Sequence, residues 1–107
     1  MKVSEIHLEG CFVIEPKVFE DDRGSFFESF RKEVFEKKTG LKVDFIQDNQ
    51  SISQKGVLRG LHMQKGEFAQ AKLVRVVHGK VLDVAVDVRK NSPTFGEHFS
   101  IELSSEN

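Results

Sequence analysis

At 107 residues, with 16 Lys and Arg against 17 Asp and Glu for a formal net charge of -1, the chain has the size of one small domain. It lacks the bulk positive charge of an electrostatic nucleic-acid binder. One cysteine, Cys11, excludes an intrachain disulfide and reads as a small buried apolar residue, and neither a membrane-span-length apolar run nor a charged-then-apolar leader is present; a soluble cytoplasmic protein, not a membrane protein, is expected.

The elements follow in chain order. "CFVIEPKVFE" predicts a first strand pair, broken at Pro16. "DDRG", Asp21 to Gly24, is a turn signal. "SFFESF" alternates, placing Phe26, Glu28 and Phe30 on one face of a strand. "RKEVFEKKTG", Arg31 to Gly40, combines strong helix formers with a glycine at the C-terminal cap position, and predicts the one short helix. "DFIQDNQSIS" has the period of a strand: Phe45, Gln47, Asn49, Ser51 and Ser53 share one face, and Ile46, Asp48, Gln50 and Ile52 the other.

"FAQAKLVRVVHGKVLDVAVDVRK" predicts a hairpin turning at His78, Gly79 and Lys80. On its second arm Leu82, Val84, Val86 and Val88 face one way, and Val81, Asp83, Ala85 and Asp87 the other. "KNSPTFG" reads as a loop and "EHFSIEL" as a last strand, with Phe99, Ile101 and Leu103 on one apolar face. Many short antiparallel strands with one helix, no repeat and no linker predict a mainly all-β sandwich or barrel.

Several strands carry polar residues where an interior would be: Gln47 with Asn49, and Gln70 with Lys72. Inward polar residues suit a small closed β fold that holds a ligand. Solvent faces of an open sheet would give the same pattern.

The histidines His7, His62, His78 and His98 are scattered, and no His-x-His places two ligands on one strand face, so no metal site is expected. Cys11 has no evident base, and neither a Gly-x-Ser-x-Gly elbow nor a glycine-rich phosphate loop is present. Proton abstraction remains. It requires a base that titrates near working pH and a cation where an oxyanion develops. His62 can be the base and Lys72 the cation, with Asp83 on the next hairpin arm offsetting the lysine charge. The alternatives are a hydrogen-bonded core histidine and a surface Lys–Asp pair.

Three runs, "EDDRGSFFESF", "FIQDNQSISQKGVLRGLHMQ" and "QAKLVRVVHGKVLDVAVDVRKNSPTFG", taken together and in order, resemble the dTDP-4-dehydrorhamnose 3,5-epimerase family. The resemblance runs from about Phe12 to Asn107. It implies one domain, a cupin-type jelly-roll, that works without metal or cofactor as a homodimer or larger homo-oligomer. The implied reaction is epimerisation at C3 and C5 of dTDP-4-dehydro-6-deoxy-glucose, in dTDP-L-rhamnose biosynthesis. His62 resembles the general base and Lys72 the residue that stabilises charge on the C4 oxygen. Arg59 resembles a diphosphate ligand, and Arg23 and Glu28 nucleotide contacts. Gln47, Asp48 and Asn49 resemble a substrate-binding strand. Arg59 and His62 have opposite strand parity, so a bend at Gly60 is expected if both line one pocket.

The family's later segment brings an aspartate that orients the base and a tyrosine that acts as acid. This sequence ends at "LSSEN" and contains no tyrosine. The expectation is an incomplete barrel with Phe99, Ile101 and Leu103 uncovered, and a base without its family acid. A non-catalytic nucleotide-sugar binder or a structural remnant of the family is the alternative.

Overall fold

A computed structural model describes residues 1–107. Its regular elements are six strands and one helix: β1 (Lys2–Glu5), β2 (Phe12–Glu15), β3 (Val18–Asp21), β4 (Gly24–Phe27), α1 (Lys32–Thr39), β5 (Lys80–Val86) and β6 (His98–Ser104). The strands form three antiparallel two-stranded sheets, β1–β2, β3–β4 and β5–β6. The architecture is therefore antiparallel and mainly β with one short helix, and it is not a closed barrel. The chain divides into two compact units, residues 1–41 with 75–107, and residues 42–74.

In the first unit, Pro16 falls between β2 and β3, as the sequence predicts, because proline cannot donate to a ladder. The two strands it separates do not pair with each other. β2 pairs with β1, a strand not read from the sequence, with Val3 opposite Ile14. β3 pairs with β4 through the predicted turn at Asp22 and Arg23, with Phe19 opposite Phe26. The strand expected to reach Phe30 ends at Phe27.

Helix α1 forms where its residues favour it. Glu33 lies in the first turn and Lys37 and Lys38 in the last, each complementing the helix dipole. Gly40 ends it in the left-handed conformation (φ 72°) and donates its N–H to the Glu36 carbonyl. Phe35 is buried, with the Phe30 ring 5.8 Å from its own. Leu8, in the β1–β2 connection, is the other deeply buried apolar side chain.

The predicted hairpin about His78–Lys80 does not form. β5 begins at Lys80, but it pairs with β6, with Asp83 opposite Ile101 and Ala85 opposite Phe99. The arm from 68 to 77 enters no ladder. Beyond β5, the Asp87 N–H donates to the Glu97 carbonyl and the Gly96 N–H to the Asp87 carbonyl, closing the predicted Lys90–Gly96 loop. Along β5 and just past it, Leu82, Val84 and Val88 are exposed, whereas on the other face Asp83 and Ala85 are half-buried and Asp87 is buried; Val81 is exposed and Val86 half-buried. Phe99, Ile101 and Leu103 share this covered face and are half-buried, contrary to the expectation that they would be open.

The second unit, residues 42–74, contains the predicted strand Asp44–Ser53. It forms no ladder: the unit's regular structure is a hydrogen-bonded turn at Gln54–Val57 and a short 3-10 helix, Gly66–Phe68. Alternation marks a segment as able to be a strand, but a strand exists only where a second one accepts its hydrogen bonds.

Candidate active site

The first unit carries Arg23, Glu28 and Asp83. Arg23 lies in the two-residue β3–β4 turn. Asp21 Oδ1 accepts the Arg23 backbone N–H at 2.8 Å, and Oδ2 accepts both Nε at 3.1 Å and Nη2 at 2.6 Å. This hydrogen bonding holds the Asp21 carboxyl below, and the Arg23 guanidinium above, their usual ranges. Phe19, Glu20, Asp21, Arg23, Ser25 and Phe26 line an open cleft of about 480 Å³ on this hairpin. The two phenylalanines are cross-strand neighbours with exposed rings, so the turn presents a cation beside a bare aromatic surface. Glu28, just past β4, accepts a hydrogen bond from Arg31 Nη2 at 2.5 Å.

Asp83 sits on β5 opposite Ile101. The hairpin that was to set it across from Lys72 is replaced by β5–β6, so its ladder neighbour is an apolar residue. Its charge is felt by Cys11: burial, and secondarily the Asp83 carboxylate, push the half-buried thiol above its usual range, opposed by a backbone hydrogen bond from Phe12.

The second unit carries Gln47, Asp48, Asn49, Arg59, His62 and Lys72, all exposed. Gln47 Nε2 donates to Asn49 Oδ1 at 3.2 Å, so the two side chains predicted to share a face meet. Arg59 Nε donates to Ser53 Oγ at 2.9 Å and Nη2 to the Ile52 carbonyl at 3.3 Å. The bend expected at Gly60 is present: its φ is +105°, in the region that favours glycine. The His62 ring folds back over this glycine. A Cβ at position 60 would lie 3.1 Å from His62 Cδ2 and 3.3 Å from its backbone nitrogen.

Three supporting residues were not read from the sequence. Asp21 and Asp87 each grip an arginine two residues on, in "DDR" and "DVR"; aspartate two residues before a hydrogen-bonded turn N–H is a recognisable signal. Ser53 has none, because it lies six positions before Arg59 along irregular chain. No group of three His, Cys, Asp or Glu side chains converges, and no helix is long and apolar enough to cross a membrane.

Against known proteins, residues 5–107 match the family model described as dTDP-4-dehydrorhamnose 3,5-epimerase. The chain is 56% identical over 107 residues to the protein of that name from Shigella flexneri, covering all of this chain and 59% of that one. It is 54% identical over 100 residues to the one from Methanothermobacter thermautotrophicus, covering 94% of this chain and 53% of that one. The crystal structure of the Elizabethkingia anophelis epimerase superposes with a TM-score of 0.93 at 56% identity, over all of this chain and 58% of that one. The Legionella pneumophila epimerase in complex with dTDP-4-keto-L-rhamnose superposes at 0.92 and 48% identity, over 99% of this chain and 56% of that one. The chain thus spans between half and three-fifths of the length of these relatives.

Proposed function

We infer the function from one premise, that the chain belongs to the dTDP-4-dehydrorhamnose 3,5-epimerase family. In this reading it is a sugar-nucleotide epimerase that removes the protons at C3 and C5 of dTDP-4-dehydro-6-deoxy-glucose, in dTDP-L-rhamnose biosynthesis. Both carbons flank the C4 ketone, so loss of either proton leaves an enolate whose charge rests on the C4 oxygen. The chemistry needs a base and a cation and no metal or cofactor.

His62 is the proposed base and Lys72 the cation beside the developing oxyanion. Arg59 takes the diphosphate, where a planar fork matches phosphate oxygens. Arg23 and Glu28 contact the nucleotide, and Gln47, Asp48 and Asn49 line the sugar subsite. Both units are read as parts of one cupin-type jelly-roll domain, acting in the cytoplasm as a homodimer or larger homo-oligomer. The 107 residues hold no tyrosine, so proton removal is the half of the reaction that these residues can carry.

The observation that supports this most is the turn at Gly60. Its positive φ and missing Cβ let the His62 ring lie back over Gly60, the residue that follows Arg59. A base and a phosphate-binding cation on one short segment are what a sugar diphosphate with an acidic C–H requires. The Legionella relative, solved with a dTDP-linked 4-keto sugar, is consistent with that ligand class.

The test is incubation of the chain with dTDP-4-dehydro-6-deoxy-glucose in deuterium oxide, followed by proton NMR. Deuterium should enter at C3 and C5. An unchanged spectrum under conditions where dTDP binds would overturn the catalytic reading.

A further inference from the structure

We propose that Ser53 is a positioning residue for Arg59, holding one edge of its guanidinium so that the opposite edge stands ready for a diphosphate. The proposal rests on reading Arg59 as the diphosphate ligand.

A guanidinium has five N–H donors on a rigid plane and two forks suited to an oxyanion. One fork is Nε with Nη2; the other is Nη1 with Nη2. In this structure the first is spent within the chain. Ser53 Oγ accepts from Nε at 2.9 Å and the Ile52 carbonyl accepts from Nη2 at 3.3 Å. The plane is thereby fixed at two points, and no hydrogen bond within the chain engages Nη1. A flexible arginine must give up rotamer freedom to grip a phosphate; one held beforehand loses less on binding.

The nature of the holders matters as much as their geometry. Arg23 and Arg89 are gripped on the same Nε–Nη2 edge, but by the carboxylates of Asp21 and Asp87. Each of those pairs is close to neutral, and its carboxylate repels a second anion. Ser53 Oγ and the Ile52 carbonyl are uncharged. Arg59 therefore keeps its full positive charge while its orientation is fixed, which is what capture of a diphosphate demands. Ser53 belongs to a segment with no ladder of its own, so its hydroxyl is not there to support a sheet.

The experiment measures dissociation constants for dTDP and for inorganic diphosphate by calorimetry, on the wild type, Ser53→Ala, Ser53→Thr, Arg59→Ala and the Ser53→Ala/Arg59→Ala double variant. Loss of one oriented hydrogen bond predicts that Ser53→Ala weakens both ligands by roughly three- to tenfold. Ser53→Thr keeps the hydroxyl and should restore wild-type binding. The double variant should bind no more weakly than Arg59→Ala, since Ser53 acts through Arg59. In nitrogen-15 spectra the Arg59 Nε–H proton should exchange faster with water in Ser53→Ala and return to the wild-type rate in Ser53→Thr. Wild-type affinity in Ser53→Ala, an equal loss on the Arg59→Ala background, or an unchanged Nε–H exchange rate would each overturn the proposal. A wild type that binds inorganic diphosphate but not dTDP would sink the epimerase reading alone, with the Ser53 comparison then decided on diphosphate. A wild type that binds neither overturns both.

Discussion

Asp87 holds Arg89 by both of its carboxylate oxygens: Nε reaches Oδ1 and Nη2 reaches Oδ2, each at 2.9 Å, while Oδ1 also accepts the Arg89 backbone N–H at 3.0 Å. The same carboxylate accepts the hydroxyls of Ser92, at 2.5 Å, and Thr94, at 2.6 Å. The aspartate side chain is only 1% exposed, and every donor around it comes from the loop that joins β5 to β6. An ionised group out of water survives only with such a full set of partners. The clasp closes the longest connection in the first unit, and with it the β5–β6 sheet that carries Asp83.

Asp87→Asn should therefore loosen the loop. It removes the charge and places an amide where the Arg89, Ser92 and Thr94 donors need acceptors. The expected outcome is a fall in melting temperature of roughly 5–10 °C, with Ser92→Ala falling less. The pH dependence has a definite sign. The clasp holds the Asp87 carboxyl far below its usual range, chiefly through Arg89 and then Ser92 and Thr94. A depressed carboxyl contributes stability that is complete above its unfolded value of about 4 and is lost as pH falls below it. Denaturant titrations between pH 6 and pH 2, taken as an approximate window about that reference value, should show a shallower acid decline in Asp87→Asn than in the wild type. Parallel declines would remove Asp87 from the acid sensitivity of the fold.

His62→Asn should abolish deuterium uptake at C3 and C5, because an amide cannot accept a proton near neutral pH. Binding of dTDP should stay within about twofold, since the mutated ring is assigned to the sugar and not to the diphosphate. Uptake at the wild-type rate in the variant would dismiss His62 as the base.

Gly60→Ala should impair the same exchange without touching a proposed contact. A left-handed backbone costs a residue with a Cβ about 1–2 kcal/mol, and here the new methyl would also press on the His62 ring at 3.1 Å. The ring must move, and proton exchange should fall by about tenfold or more. Comparing exchange rate with dTDP affinity in this variant separates a displaced base from a collapsed site. Full activity would mean that the ring does not need the position it has over Gly60.

Self-association is expected from the apolar surface. Phe26 and Leu82 are each 70% exposed, and Ile46 in the second unit is 93% exposed. Covering such surface is favourable by about 25 cal/mol per Å², and isolated two-stranded sheets are marginal by themselves. Sedimentation equilibrium at low micromolar concentration should give a mass above that of the 12.2 kDa chain. Phe26→Ser combined with Leu82→Ser should move it toward the monomer. A cooperatively melting wild-type monomer would contradict the homo-oligomeric reading.

What was legible in the sequence was local. The "DDRG" turn, the break at Pro16, the helix capped by Gly40, the bend at Gly60 and the strand "EHFSIEL" each depend on residues within a few positions of one another. Their physics is steric or short-range: proline has no N–H to donate, glycine accepts a positive φ, and charges complement a helix dipole. The family resemblance was legible for a related reason, since it rests on runs of side chains whose order the chain itself carries.

Pairing was decided by the tertiary structure. The residues from 68 to 88 alternate about Gly79 as a hairpin should, yet β5 took β6 as its partner, across the eleven-residue connection from Asp87 to Glu97. Alternation states which side chains share a face, but it names neither the strand that accepts the hydrogen bonds nor the face that is covered. Asp83 and Asp87 consequently lie on the covered side of β5 while Leu82 and Val84 meet solvent. The grip of Ser53 on Arg59 is of the same kind. Sequence composition determined that an arginine and a histidine stand three residues apart, but only the folded path of an irregular segment could bring a serine hydroxyl to the guanidinium and settle which of its edges is left to bind.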